Sequence, residues 1–130
     1  RQPLASGDLH SRAMGKAVLS RMSPEELDDF LKQAPFKRFS SNTIVEKDDL
    51  LRDLDLVRTK GYAINNEEYF SGLICIGAPL VNYRSGNVAG AISFDLPAAD
   101  NSVESVESSY AGPMMKLAHD LSEMVTMDEY

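Results

Sequence analysis

Residues 61–95 read GYAINNEEYFSGLICIGAPLVNYRSGNVAGAISFD, and this stretch decides the fold because it alone combines strand-like apolar runs with a turn signal. Residues 72–81 and 88–95 are apolar runs of strand length, and the turn-forming residues 83–87 separate them. Two buried antiparallel strands are the simplest interpretation. The rest of the chain has the apolar spacing of helices, so we predict an α+β fold.

The loop of this hairpin determines which side chains share a face of the sheet, because a slip of one residue moves every side chain to the other face. If Tyr83 pairs with Asn87 around the loop 84–86, the glycine of that loop supplies the left-handed position that a three-residue loop requires. Cys75 then lies opposite Asp95. A four-residue loop is the alternative, and it would place Cys75 among the large apolar side chains. We favour the three-residue loop because its turn chemistry fits better.

The two faces of the predicted hairpin differ in character. With Cys75 opposite Asp95, one face is apolar and carries Ile74, Ile76, Ile92 and Phe94. The other face carries small and polar residues, namely Cys75, Gly77, Ala91, Ser93 and Asp95. Small side chains leave space, and convergent polar groups beside that space are typical of a small-ligand pocket.

Helices flank the hairpin in the sequence. Apolar residues at helical spacing predict helices over 10–22, 24–34, 47–60 and 103–124, and a short strand is predicted over 62–64. Ser23 is the expected N-cap of the second helix, and Gly61 is the expected C-cap of the third. Pro113 predicts a kink or break in the last helix. Lys16 falls on the predicted solvent side of the first helix, and residues 1–8 predict no regular element.

Composition restricts the possible functions. The 130 residues fit one domain, 1–130, and 13 Lys and Arg against 20 Asp and Glu give a formal charge of -7. The cations are scattered, so we expect any contact with DNA to be made by a segment outside this chain. The single cysteine excludes an intramolecular disulfide and suits a reduced, cytoplasmic setting. No apolar run could span a membrane, two histidines without ligand spacing predict no metal site, and no cofactor is expected.

Several sequence blocks resemble a known family. They are LHSRAMGKA (9–17), NTI (42–44), VRTKGYA (57–63), EE (67–68) followed by GLICIGAP (72–79), and AIS (91–93). In order and spacing they resemble the effector-binding domain of IclR-type bacterial transcription regulators. The resemblance implies a GAF-like twisted antiparallel sheet flanked by helices, preceded by a winged helix-turn-helix domain. That domain and the first part of the effector domain have no counterpart in this sequence, so we expect a fragment whose sheet is incomplete on its N-terminal side.

The resemblance also implies a function. Such domains bind a small carboxylate or sugar-acid metabolite and transmit its occupancy to the DNA-binding domain of a repressor or activator, which we expect to be a homodimer or homotetramer. The acid group would meet backbone amides at the start of the first helix, where free N–H groups and the helix dipole favour an anion. The site residues implied in this way are Ala13, Met14, Gly15, Asn65, Cys75, Ser93 and Asp95.

Two of these positions depart from the family pattern. Asn65 stands where the family commonly has Asp, and Asp95 stands where it commonly has Ser or a similar small residue. We therefore expect the carboxylate to contact the effector from the other wall, which favours an effector with hydroxyls as well as an acid group. Alternatively, Ser93 and Asp95 only cap a strand end.

Two other function classes stay open at this point, a free-standing GAF-like enzyme and a pure dimerisation module. An enzyme that used Cys75 would need a base beside the thiol, and neither histidine stands in a recognisable catalytic arrangement. We therefore predict that the chain is not an enzyme.

Overall fold

Within residues 8–128, which a computed structural model describes, three strands form one antiparallel sheet with helices on both faces. This confirms the predicted α+β class. The strands, in sheet order, are β1 (Ala63–Asn66), β2 (Leu73–Val81) and β3 (Val88–Pro97). The helices are α1 (Ala13–Ser20), α2 (Pro24–Gln33), α3 (Lys47–Lys60) and α4 (Val103–Asp128), and short 3-10 turns span Leu9–Ser11 and Ala98–Asp100. The prediction for residues 1–7 lies outside the described residues.

The helix ends follow the chemistry of their capping residues. Ser23 caps α2 through a capping box, in which its hydroxyl accepts from the amide of Glu26 at 3.1 Å and its own amide donates to the Glu26 carboxylate at 3.0 Å. Gly61 ends α3 in the left-handed conformation, with φ +91°. Both predicted caps are confirmed. None of these described helices is long and apolar enough to cross a membrane.

The sequence predicts a kink or a break at Pro113; α4 continues through this residue, so a break is wrong, while a kink stays a prediction. A proline inside a helix lacks one amide donor and leaves the carbonyl four residues earlier without its partner. That residue, Ser109, is exposed, as Pro113 is. Water can satisfy the freed carbonyl there, so the helix does not need to end.

The first predicted helix, 10–22, is divided in two. A 3-10 turn over Leu9–Ser11 comes first, and Arg12 is then extended at φ -115° and ψ 144° before α1 begins. The true helix terminus therefore lies at Ala13. This puts the amide-bearing end of α1 against the sheet, and the position matters for the site described below.

The predicted pairing of Cys75 with Asp95 is confirmed, although the predicted loop is wrong. Asn82 donates its amide to the Asn87 carbonyl at 2.9 Å, so the loop has four residues, 83–86, and Gly86 takes the left-handed position at φ +78°. A one-residue shift between Leu80 and Val81 then restores the predicted register along the rest of the hairpin. Such a shift is a β-bulge, which sequence alone does not announce.

The two faces of the sheet are used as predicted. The apolar face packs against α4, where Ile74, Ile76 and Ala78 form a cluster with Val106, Met114 and Ala118. The opposite face lies under α1, and it must be small there. A methyl group on Gly77 would come within 3.1 Å of Ala13, so α1 approaches the sheet too closely for any larger residue. A separate leucine cluster joins α1, α2 and α3, formed by Leu9, Leu19, Leu27, Leu31, Leu50 and Leu54.

Candidate functional site

A cavity of about 90 Å³ lies between the start of α1 and the small-residue face of the sheet. We call it the α1 cavity. Residues from the start of α1, the end of β1, the turn before β2, and both hairpin strands line it: Arg12, Ala13, Met14, Asn65, Tyr69, Phe70, Leu73, Cys75, Ser93 and Asp95. Six of the seven predicted site residues are therefore brought together, and Gly15 is the exception.

The N-terminus of α1 opens on this cavity with free amides. The first hydrogen bond of the helix runs from the amide of Lys16 to the carbonyl of Arg12, at 2.9 Å. The amides of Ala13, Met14 and Gly15 precede it and have no acceptor within the helix. The positive end of the helix dipole adds to these donors. A carboxylate placed here would receive hydrogen bonds without any competing acid on α1.

Gly15 has a packing role. A Cβ atom at this position would lie 2.3 Å from the carbonyl oxygen of Leu9 and 2.6 Å from its Cα. The 3-10 turn over Leu9–Ser11 therefore crosses α1 at a point where only glycine fits. Its side-chain position faces this turn, and its only available contribution to the cavity is its backbone amide.

The sheet wall of the α1 cavity presents a thiol, a hydroxyl and a carboxylate. Cys75 and Asp95 are directly paired across β2 and β3, and the Ser93 hydroxyl donates to Oδ1 of Asp95 at 3.2 Å. Neither Ser93 nor Asp95 bonds to the 96–101 loop within the described residues, so the strand-capping alternative finds no support there. All three residues line the α1 cavity together with the first residues of α1.

The thiol of Cys75 is not an activated nucleophile. Burial, followed by its hydrogen bond to Asp95, raises the pKa of Cys75 to about 12. A thiol with such a pKa stays protonated at neutral pH, and reactive cysteines have lowered values instead. Neither histidine lines the cavity, and the ring of His10 is buried with its Nε2 2.7 Å from the carbonyl of Lys37.

Asn65 lines the cavity, but both ends of its amide already have protein partners. Its Oδ1 accepts from the amide of Glu68 at 2.7 Å, and its Nδ2 donates to the carbonyl of Ser11 at 2.7 Å. The side chain thus holds the turn after β1 to the turn that precedes α1. Its contribution to the site is to fix the distance between two walls.

The sequence interpretation missed three residues at the mouth, Arg12, Tyr69 and Phe70. The Arg12 guanidinium lies 3.9 Å from the centre of the Tyr69 ring, and its Nε donates to Oδ2 of Asp8 at 2.8 Å. The ring of Tyr69 meets that of Phe70 edge-on at 4.6 Å. These two aromatic residues stand in an irregular turn, where no periodicity marks them. The one sequence signal for any of these three residues was the basic side chain of Arg12 directly before the small residues of α1.

The residues that support the cavity include a lysine that the sequence placed in solvent. Lys16 is fully buried, and its ammonium donates to Asp53 at 2.7 Å, to Glu68 at 2.9 Å and to the carbonyl of Ile64 at 2.5 Å. The expectation of an exposed Lys16 is wrong, and Glu68 beside it is also buried, at 7% exposed. This cluster joins α1, α3 and the turn after β1 behind the cavity.

A larger depression of about 610 Å³ lies near the other end of β2, between α3 and α4. None of the seven predicted site residues lines it. Among the described residues that line this depression there is no helix N-terminus and no thiol paired with a carboxylate. We therefore take the smaller cavity as the candidate site. On the exposed side of α4, His119, Asp120 and Glu123 bring ligand atoms within 4.8 Å of one another. His119 already contacts the Tyr83 hydroxyl and Asp120 pairs with Lys116, and the absence of a metal site stays a prediction.

Comparison with known proteins gives a consistent result. Residues 5–123 match a family model described as bacterial transcriptional regulator IclR C-terminal. The HTH-type transcriptional regulator KdgR of Dickeya chrysanthemi is 36% identical over 122 residues, which are 94% of this chain and 39% of that protein. The HTH-type transcriptional repressor AllR of Klebsiella pneumoniae is 40% identical over 91 residues, which are 70% of this chain and 33% of that protein. The chain thus spans well under half the length of these relatives.

Solved structures agree with the family match. The C-terminal domain of the Escherichia coli regulator KdgR superposes with a TM-score of 0.81 at 32% identity, over 91% of this chain and 71% of that one. The Thermotoga maritima IclR structure superposes with a TM-score of 0.84 at 30% identity, over 91% of this chain and 47% of that one.

Proposed function

The chain belongs to the IclR C-terminal family of bacterial transcriptional regulators, and we propose that it is the part of such a regulator that senses a small carboxylate or sugar-acid effector. The family consists of regulators and not of enzymes, which confirms the prediction that the chain is not an enzyme. Effector occupancy of the α1 cavity would be transmitted to a DNA-binding domain outside this chain.

The observation that carries this proposal is the convergence of free amides and polar side chains on one cavity. The amides of Ala13 and Met14 approach it from the helix, while Cys75, Ser93 and Asp95 approach it from the sheet. An acid group bound at the helix end would leave the remainder of a ligand against the sheet wall. A pure dimerisation module would not need polar groups gathered around one cavity.

The remaining parts of the regulator are also proposals. We place residues 1–130 in a single effector-binding domain, with further strands supplied from the part of the regulator outside this chain. The outer edge of β3 supports this, since within residues 8–128 this strand of 10 residues pairs with β2 on one side only and offers a row of backbone donors and acceptors on the other. A homodimer or homotetramer in the cytoplasm, contacting DNA only through the other domain, completes the proposal.

A thermal-shift screen with small organic acids tests the proposed function. Glyoxylate, pyruvate and hexonates form the first set, and a ligand should raise the melting temperature progressively as its concentration passes its dissociation constant. Nuclear magnetic resonance spectra of the same mixtures should show no product. Product formation would favour an enzyme, and the absence of any stabilisation across the set would favour a dimerisation module.

A matched pair of variants localises the binding. Ser93→Leu adds a bulky side chain to the wall of the α1 cavity, and should abolish stabilisation by ligand. Ser109→Leu adds the same side chain on the exposed side of α4, away from the cavity, and should leave ligand stabilisation intact. Equal ligand responses in the two variants would place the binding site elsewhere.

A further inference from the structure

The charged residues that line the α1 cavity restrict the chemistry of its ligand more tightly than membership of the family does. Of the residues that line it, only Arg12 and Asp95 carry formal charges at neutral pH. Arg12 directly precedes the first residue of α1, while Asp95 lies in β3. The two charges therefore reach the ligand from different walls.

Arg12 is already held in place on the helix side. Its Nε donates to Asp8 at 2.8 Å, and its guanidinium plane rests 3.9 Å from the centre of the Tyr69 ring. The side chain is 41% exposed, so it stands at the mouth. A guanidinium has five N–H donors in a fixed fork, and the contact to Asp8 through Nε leaves others to meet an arriving acid beside the amides of α1.

The negative charge of Asp95 has no ion-pair partner of this kind within the described residues. Its contacts within the described residues are the Ser93 hydroxyl at 3.2 Å and the thiol of Cys75, and no basic side chain pairs with it. Because Arg12 is paired with Asp8, the carboxylate of Asp95 keeps its negative charge on the sheet side of the cavity. Asp95 is exposed, and a ligand that brings only acceptor oxygens to its carboxylate would be repelled there, whereas a hydroxyl or ammonium would donate to it.

The volume sets the size of the ligand. A cavity needs roughly 10–15 Å³ of internal space to hold one water molecule. The α1 cavity, at about 90 Å³, therefore accommodates on the order of six to nine non-hydrogen atoms. Acids of about three or four carbons match this size, and a longer acid would have to extend through the mouth.

We propose that the effector is a short organic acid that also carries a hydrogen-bond donor, a hydroxyl or an ammonium, near its acid group. The acid group lies at Arg12 and the first amides of α1, and the donor lies at Asp95. Arg12 and Asp95 are thus the residues that determine specificity. The inference rests on the proposed function, because it assumes that this cavity is the effector site.

Matched ligand pairs test it by isothermal titration calorimetry. Lactate is compared with pyruvate, glycolate with glyoxylate, and alanine with propionate, so that each pair differs mainly in the donor. The donor-bearing member should bind about tenfold tighter or better, because a site built around an acceptor rejects an analogue that lacks the donor. The lactate and alanine arms distinguish a hydroxyl from an ammonium.

Variants separate this inference from the proposed function. Asp95→Ser should remove the preference within each pair, Arg12→Gln should weaken all acids about equally, and Asp100→Asn, an exposed acid in the loop after β3, should change neither. If oxo acids bind as tightly as hydroxy acids, or if the preference survives Asp95→Ser, the inference fails while the sensing function stands. If no acid binds in any arm, the proposed function fails with it.

Discussion

Replacing Lys16 by Met should destabilise the fold far more than any exposed lysine would. The ammonium of Lys16 uses all three of its donors, to Asp53, Glu68 and the carbonyl of Ile64, and none of the side chain reaches solvent. Methionine matches the length of the apolar stem but donates to none of them. The buried carboxylate of Glu68 would be left without its cation.

The magnitude follows from this burial. Removing one partner of a buried ion pair costs about 3–5 kcal/mol, because an uncompensated charge stays inside. For a single domain with a total stability of about 5–15 kcal/mol, that is a large fraction. With a urea dependence of about 2 kcal/mol per molar, the unfolding midpoint should fall by roughly 2 M.

Urea unfolding followed by circular dichroism measures this effect against a matched control. Lys32→Met removes the same ammonium from an ion pair with Asp28 whose two side chains are 70% and 54% exposed, so its midpoint should stay close to that of the native chain. The double variant Lys16→Met with Glu68→Gln should recover part of the loss, because both charges are then removed. Equal midpoints for the two lysine variants, or additive losses in the double variant, would refute the reasoning.

Three further predictions concern packing and protonation. Gly15→Ala should lower the melting temperature, since its Cβ would meet the Leu9 backbone at 2.3 Å, while Gly90→Ala, whose Cβ would have its nearest contact with Leu80 Cδ1 at 3.9 Å, should change it little; equal losses in the two variants would contradict the packing described. Burial and the hydrogen bond to Glu107 raise the pKa of Tyr62 to about 12, so stability present below about pH 10 should be lost as the pH rises towards 12. Urea unfolding at pH 8, 10 and 11 should show that loss, and Tyr62→Phe should reduce it. With the pKa of Cys75 near 12, the folded chain should react very slowly with a thiol reagent at pH 8, and Asp95→Asn should accelerate the reaction; no acceleration would argue against the contact between Asp95 and the thiol.

The parts of the fold that sequence predicts are those governed by local rules. Helical spacing, the capping box at Ser23 and the left-handed Gly61 each depend on neighbouring residues, and the structure has them as predicted. The predicted hairpin register is also correct, although the loop that was used to predict it is not the one in the structure. A four-residue loop and a bulge between Leu80 and Val81 together give the pairing that a three-residue loop would have given. Strand register is set by burial of one face as well as by the turn, and burial is what determined it here.

The parts of the site that sequence missed depend on distant partners. A lysine on a helix is expected in solvent unless its carboxylates are known, and those of Lys16 stand 37 and 52 residues away. Tyr69 and Phe70 lie in a turn where side-chain direction follows no period. Arg12 was visible as a charge, but its place over the Tyr69 ring required the turn to be folded. Each of these omissions concerns a contact between elements, which no local pattern encodes.

The structure gives a physical reason for an amide, and not an acid, at Asn65. The Asn65 amide donates to the Ser11 carbonyl and accepts from the Glu68 amide, so it needs one donor and one acceptor on the same side chain. A carboxylate could accept from the amide but would face the carbonyl with a second acceptor, at the cost of a buried polar group without its partner. It would also add a negative charge close to the Glu68 carboxylate, which already shares its lysine with Asp53. With Asn65 committed to holding the two walls together, an acid group for the proposed ligand has to come from another residue. Asp95 on β3 is exposed and placed to supply it, and its contacts within the described residues are to the Ser93 hydroxyl and the Cys75 thiol.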